Sequence, residues 1–125
     1  GLADTLIPPA GSLNYLSRVA DKMGGIEAVQ AFNRLYLVPG MGHCAGVGTV
    51  SGSAGPAATA NTVPLPAANQ FFDALVAWVE KGTQPGPLML KSADASVSMP
   101  ICVHPQKATY QGSGSVADGA NYSCR

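Results

Sequence analysis

A short apolar run at residues 34–38, RLYLV, restricts the fold of this chain most strongly, because it stops at Pro39 and Gly40. An apolar run of this length, closed by a Pro-Gly turn, predicts a buried strand. The turn that follows presents His43, one of two histidines in the chain, and Cys44 comes directly after it. The sequence therefore puts a group that can accept a proton just past the end of a predicted strand.

Two helices are predicted from apolar residues that recur every three or four positions. The first covers residues 13–23, with Ser12 as its N-cap and Gly24 and Gly25 as its stop, and residues 26–32 add one further helical turn.

The second predicted helix covers residues 67–81, stops at Gly82 and has a broad buried face. We expect its aromatic residues Phe71, Phe72 and Trp78 to belong to the core rather than to stack on a ligand.

The remaining segments predict little regular structure. Residues 45–68 are almost all small or polar, which is typical of a long surface loop. Residues 88–90 and 108–110 are predicted as short strands, and residues 112–125 as a polar tail that carries the last cysteine.

Composition limits the class of protein. Seven Lys plus Arg balance seven Asp plus Glu without a basic stripe, so we expect no nucleic-acid partner. No run approaches the ~20 apolar residues of a membrane span, so no membrane partner is expected. A charged content of 11%, with 15 Gly and 10 Pro, is typical of secreted enzymes and predicts a secreted or periplasmic protein that forms one folded unit.

Two predicted turns carry groups suited to catalysis. Asp4 lies in the loop of residues 2–9, which closes with two prolines, and His43 follows the predicted strand. An Asp and a His in this order suit a hydrolase triad with the chain order Ser, Asp, His. No G-x-S-x-G elbow occurs, and the nearest motif, SGSAG at residues 51–55, follows the histidine and lacks the first glycine. Spacing alone favours the interpretation that Asp4 and His43 are ordinary turn and loop residues.

The three cysteines and two histidines raise two further questions. His43, Cys44, Cys102 and His104 can be combined on paper as zinc ligands, but no paired ligand spacing supports this, so no metal site is predicted and His104 is expected to be structural. In an oxidising compartment, an odd cysteine count leaves one thiol free or paired outside the chain. We expect Cys102 to pair with Cys124, because the segment between them has little core of its own.

Four segments resemble the tannase and feruloyl esterase family of secreted α/β-hydrolases: GLADTLIPP, RLYLVPGMGHCAG, FDALVAWVEKGTQP and PICVHPQKATYQGSGSVADGANYSC. The resemblance implies an α/β fold in which residues 1–125 are the C-terminal segment of the catalytic domain, incomplete without the preceding polypeptide. It also implies that Asp4 and His43 are the triad Asp and His. Cys44 then bonds a cysteine outside this chain, next to the serine nucleophile.

The same resemblance implies which parts lie elsewhere. The serine, the oxyanion hole and the lid with its structural calcium precede the segment that matches Gly1, so no cofactor is expected on this chain. The expected partner is the N-terminal remainder, either from the same precursor or as a separate chain.

The implied activity is serine-type hydrolysis of esters of aromatic acids such as galloyl or feruloyl esters, and this chain alone is expected to be inactive. Ile7 and Met41 are candidates for the acyl pocket, although apolar residues in such loops more often only pack. Two alternatives stay open. The first is another hydrolase of the same fold, such as a lipase or peptidase, and the second is a non-catalytic secreted binding module.

Overall fold

The computed structural model of the chain describes residues 1–43, 46 and 61–125. The regular elements of these residues are, in chain order, α1 (Pro9–Met23), α2 (Ile26–Gln30), α3 (Gln70–Lys81), β1 (Leu88–Lys91), β2 (Ser98–Ile101), β3 (Ala108–Tyr110), a 3-10 turn (Gly119–Asn121) and β4 (Tyr122–Cys124). Most of the predicted loop at residues 45–68 lies outside the described residues. None of the described helices is long and apolar enough to cross a membrane.

Helix α1 begins four residues earlier than the sequence pattern predicts. Pro8 is its N-cap and Pro9 its first residue, so the prediction of Ser12 as N-cap is wrong. Proline suits the first helical position because its φ is already helical and the missing N–H would have no partner there. The predicted stop is confirmed, since Gly24 adopts a left-handed φ of 89°. Helix α2 then forms the further helical turn that the sequence predicts.

Residues 34–38 are extended but do not form the predicted strand. Their pairing is a single antiparallel bridge between Tyr36 and Val103, flanked by a hydrogen bond from the His104 N–H to the Leu35 carbonyl at 2.8 Å. The next N–H that could extend this ladder, that of Gln106, instead donates to the carbonyl of Val103 at 3.0 Å, so the chain turns away there. The predicted burial is confirmed only for Val38, which belongs to the core, while residues 34–37 are half-buried.

The described strands form two antiparallel pairs. In the first pair, Leu88 of β1 lies opposite Ile101 of β2, and Lys91 lies opposite Ser98. In the second pair, Ala108 of β3 lies opposite Cys124 of β4, and Tyr110 lies opposite Tyr122. The strands predicted at residues 88–90 and 108–110 are thus confirmed, whereas β2 and β4 were not predicted, and the expected polar tail contains the latter.

The core beside these strands is small. Its buried members are Val38, Leu90 and Ile101, and several half-buried apolar side chains pack against them, including Phe71 and Met41.

Helix α3 ends at Gly82 as predicted but lacks the predicted buried face. None of its residues is buried, and Phe72, Leu75 and Val79 are each more than half exposed. The expectation that Phe72 belongs to the core is therefore wrong for the described structure. The described residues cover only one side of the helix, where Phe71 lies 5.4 Å from the ring of Tyr36.

Trp78 on the same helix is half-buried, and its indole ring lies 5.8 Å from the guanidinium carbon of Arg34. This distance suits a cation–π contact. Trp78 therefore packs at the edge of the core.

Candidate functional site

The structure brings Asp4 and His43 into direct contact. The Nδ1 atom of His43 lies 2.8 Å from Oδ2 of Asp4, within hydrogen-bonding distance. The Asp4 side chain is 9% exposed, whereas that of His43 is 40% exposed. The pair thus has a sheltered acid and a histidine that a second molecule or chain segment can reach.

Backbone hydrogen bonds hold the two loops side by side. The N–H of Leu2 donates to the carbonyl of Val38 at 2.9 Å, and the N–H of Ala3 donates to the carbonyl of Met41 at 3.0 Å. Gly1 contributes by having no side chain, because a Cβ there would collide with the carbonyl oxygen of Met41. The loop of residues 2–9 that carries Asp4, the acid loop, therefore lies against the segment that leads to His43.

Gly40 forms the turn that leads to His43. Its φ of 72° is left-handed, a conformation that favours glycine, and a Cβ would lie only 2.9 Å from Cγ1 of Val63. Gly40 is therefore a geometric requirement of the turn at residues 39–43 that carries His43, the histidine loop.

The second carboxylate oxygen of Asp4 is held by its own loop. Oδ1 accepts hydrogen bonds from the backbone N–H groups of Leu6 and Ile7, each at 2.9 Å. These bonds were not predicted from the sequence, although an Asp in a turn is a known signal for hydrogen bonds from main-chain N–H groups a few residues on.

Hydrogen bonding lowers the pKa of Asp4 to about 2. The N–H of Ile7 is the largest cause and the hydrogen bond from His43 is the next, while partial burial opposes them. Asp4 is therefore ionised at neutral pH. An ionised carboxylate can only accept, so Nδ1 of His43 must carry the proton of their hydrogen bond. In the neutral ring, Nε2 is then the proton acceptor.

Ile7 and Met41 both lie in the loops that hold this pair, and their role in an acyl pocket stays a prediction. Met41 is half-buried against the core and lines a small hollow with Leu65 and Phe71, while Ile7 is exposed and does not line that hollow. Cys44 and the SGSAG motif at residues 51–55 lie outside the described residues.

The predicted bridge between Cys102 and Cys124 is present and joins the residue after β2 to the end of β4, with a Cα–Cα distance of 5.6 Å. A bridged Cys102 has no thiolate for zinc. In residues 1–43, 46 and 61–125, no group of three His, Cys, Asp or Glu side chains could hold a metal ion.

His104 takes part in backbone contacts. In addition to its bond to Leu35, its carbonyl accepts a hydrogen bond from Nε2 of Gln30 at 2.8 Å. Both contacts are made by main-chain atoms, so the structural role expected of the His104 side chain stays a prediction.

A groove that the sequence did not predict opens beside the acid loop. It encloses about 890 Å³, and its lining is mostly apolar and includes Leu2, Leu37, Pro39, Met99, Ile101 and Tyr122. These residues come from separate parts of the chain, so no local pattern could have identified the groove.

Comparisons with known proteins agree on one family. The family model described as "Tannase and feruloyl esterase" matches residues 1–125. A probable feruloyl esterase of Arthroderma benhamiae is 36% identical over 117 residues, which cover 90% of this chain and 19% of that protein. The mono(2-hydroxyethyl) terephthalate hydrolase of Piscinibacter sakaiensis is 32% identical over 130 residues, which cover 99% of this chain and 18% of the hydrolase.

Solved structures give the same result. An esterase from Aspergillus oryzae aligns with a TM-score of 0.78 at 27% identity, covering 100% of this chain and 26% of that one. A tannin acyl hydrolase from Aspergillus niger aligns with a TM-score of 0.67 at 26% identity, covering 98% of this chain and 21% of that one. The chain thus spans about a fifth to a quarter of the length of these relatives.

Proposed function

Because the chain belongs to the tannase and feruloyl esterase family, we propose that it is the C-terminal part of a serine-type carboxylic ester hydrolase with an α/β-hydrolase fold. In this proposal, Asp4 and His43 are two members of a Ser-His-Asp triad. The 2.8 Å contact between Nδ1 of His43 and Oδ2 of Asp4 carries the proposal, because it has the orientation that a triad requires.

The proposed reaction is acyl transfer to a serine supplied by polypeptide outside these residues. As the serine oxygen bonds to the ester carbonyl carbon, its proton passes to Nε2 of His43. When the ester C–O bond breaks, His43 returns that proton to the departing alcohol. Water then attacks the acyl-enzyme by the same route and releases the acid. Asp4 keeps the imidazole in the correct tautomer and stabilises the imidazolium that forms in each half of the cycle.

The proposed substrates are esters of aromatic acids. The names of the relatives support this, because the feruloyl and terephthalate groups that they mention are aromatic acyl groups. The proposed partner is the remainder of the enzyme, from the same precursor or as a separate chain. A secreted or periplasmic location is proposed because a disulfide persists in oxidising compartments.

Substitution of Asp4 by asparagine in the complete enzyme tests the proposed roles. Asparagine keeps an oxygen for the N–H groups of Leu6 and Ile7, so its NH2 group would face Nδ1 of His43 and favour the wrong tautomer. We expect kcat for an aromatic methyl ester to fall by about 10⁴, as tautomer loss does in triad enzymes.

The matched control is Asp73→Asn, which removes the same charge from the exposed first turn of α3. It should leave kcat unchanged. A loss of less than about tenfold for Asp4→Asn would show that Asp4 is not the orienting acid.

A further inference from the structure

Two backbone N–H groups hold the acid of the proposed triad. We propose that the N–H groups of Leu6 and Ile7 are positioning groups for the reaction, because they fix the Asp4 carboxylate in the one orientation that offers Oδ2 to His43. This inference rests on the proposed function and adds to it a source of precision for the acid.

A carboxylate needs such a restraint because it turns easily about its Cβ–Cγ bond, whose torsional preference is broad. Two donors at 2.9 Å occupy Oδ1 of Asp4, so the group cannot turn without breaking both bonds. Oδ2 is then left for Nδ1 of His43 at 2.8 Å. The three hydrogen bonds together determine where the imidazole stands.

The loop that carries the two donors is itself restricted. Pro8 is the N-cap of α1 and Pro9 its first residue, and proline fixes φ near a single value. Ile7 precedes a proline, which confines its own backbone to the extended region. The N–H groups are therefore preorganised by the start of the helix.

In the part of the chain that the structure describes, the side chains of the two donor residues are largely exposed. Leu6 is 74% exposed and Ile7 is 60% exposed, and their described interactions with Asp4 are through the backbone. The lowered pKa of Asp4 agrees with this, since the N–H of Ile7 is its largest cause. Removal of the N–H and removal of the side chain should thus have separable effects.

The first test compares two substitutions in the complete enzyme. Ile7→Pro and Ile7→Ala both remove the isoleucine side chain, but only proline removes the N–H. We expect kcat for an aromatic methyl ester to be about tenfold to a hundredfold lower for Ile7→Pro than for Ile7→Ala, with similar KM values, because small misplacements of a catalytic group cost this much.

A backbone ester provides a second variant, since proline can disturb the loop in other ways. Incorporation of the α-hydroxy acid analogue of isoleucine at position 7 replaces the N–H by oxygen and keeps the side chain. It should lower kcat by more than about twofold relative to the unmodified enzyme.

A double-mutant cycle distinguishes this inference from the proposed function. If the N–H of Ile7 acts through Asp4, the difference between Ile7→Pro and Ile7→Ala should shrink to within about twofold in an Asp4→Ala background. A purely structural effect of proline would persist there.

The outcomes separate as follows. If Asp4→Ala itself leaves kcat unchanged, the proposed function fails. If Asp4→Ala lowers kcat but the proline penalty persists in its background, or the ester variant keeps kcat within about twofold of the unmodified enzyme, the positioning inference is overturned and the proposed triad stands.

Discussion

Removal of the Cys102–Cys124 bridge should destabilise the chain by about 3.4 kcal/mol. The bridge closes a loop with a sequence separation of 22. For a loop of that length, the chain-entropy expression gives about 11 cal/mol/K, or about 3.4 kcal/mol at 298 K. The loop contains no buried apolar side chain other than Val103, next to the bridge, so little core packing compensates for the lost constraint.

Urea unfolding of a Cys102→Ala/Cys124→Ala variant measures this loss. Trp78 is the one tryptophan of the chain and reports unfolding by fluorescence. With m values of about 1–3 kcal/mol/M, the midpoint should fall by roughly 1–3 M.

The single variants are the control, because each of them already breaks the bridge. Their losses should not add, and each should approach the loss of the double variant, with a small additional cost for the cavity at the buried Cys102. A loss below about 1 kcal/mol, or single losses that sum to the double, would refute loop closure as the source of the stability.

Three other expectations concern the acid, the odd cysteine and the chain by itself. The stabilising contribution of Asp4 should be fully present above its ordinary pKa of 3.8 and be lost as the pH falls from there through about 2, because its folded-state pKa is lowered. In urea titrations, the advantage over Asp4→Asn should therefore persist from neutral pH down to about pH 5, and an advantage already lost near pH 5 would contradict the lowered pKa. Peptide mapping of the complete enzyme without reduction should recover Cys44 joined to a cysteine outside residues 1–125, and a free Cys44, or one joined to Cys102 or Cys124, would contradict the proposed bridge. The purified 125-residue chain should not hydrolyse an aromatic methyl ester, because the proposed serine lies outside it. Turnover by this chain would show that the nucleophile lies within residues 1–125.

Features that depend on local backbone chemistry could be predicted from the sequence. Both long helices end at the glycine expected to end them, because a left-handed residue after a helix favours glycine. The contact between Asp4 and His43 could be anticipated from their order in the chain and from the resemblance, and their catalytic roles stay a proposal. The start of α1 could not be predicted, since Ser12 and Pro9 are both valid signals for a helix start and the apolar pattern does not favour either.

Features that depend on distant neighbours could not be predicted. The periodicity of α3 indicates an apolar face but not what covers it, so the exposure of Phe72 and Val79 was not foreseen. Strand β2 contains Pro100, which argues against a strand by composition, and β4 has three residues, too few for alternation to be recognised. The donors to Asp4 are main-chain groups, so the only sequence signal for them is the Asp itself, whose side chain commonly accepts from main-chain N–H groups in turns.

The backbone bonds between the acid loop and the histidine loop have a consequence for recombination between related genes. The hydrogen bonds from Leu2, Ala3, Leu6 and Ile7, together with the bond between Asp4 and His43, all begin and end within the first 43 residues. After a crossover beyond His43, the recombinant protein would carry Asp4 and His43 from the same parent, and the hydrogen bonds between their loops would be kept. A crossover within α1 would instead join the acid of one parent to the histidine of another, and the register between their main chains would have to be re-established. Residues 1–43 are thus the natural cassette for chimaeras that exchange this part of the enzyme.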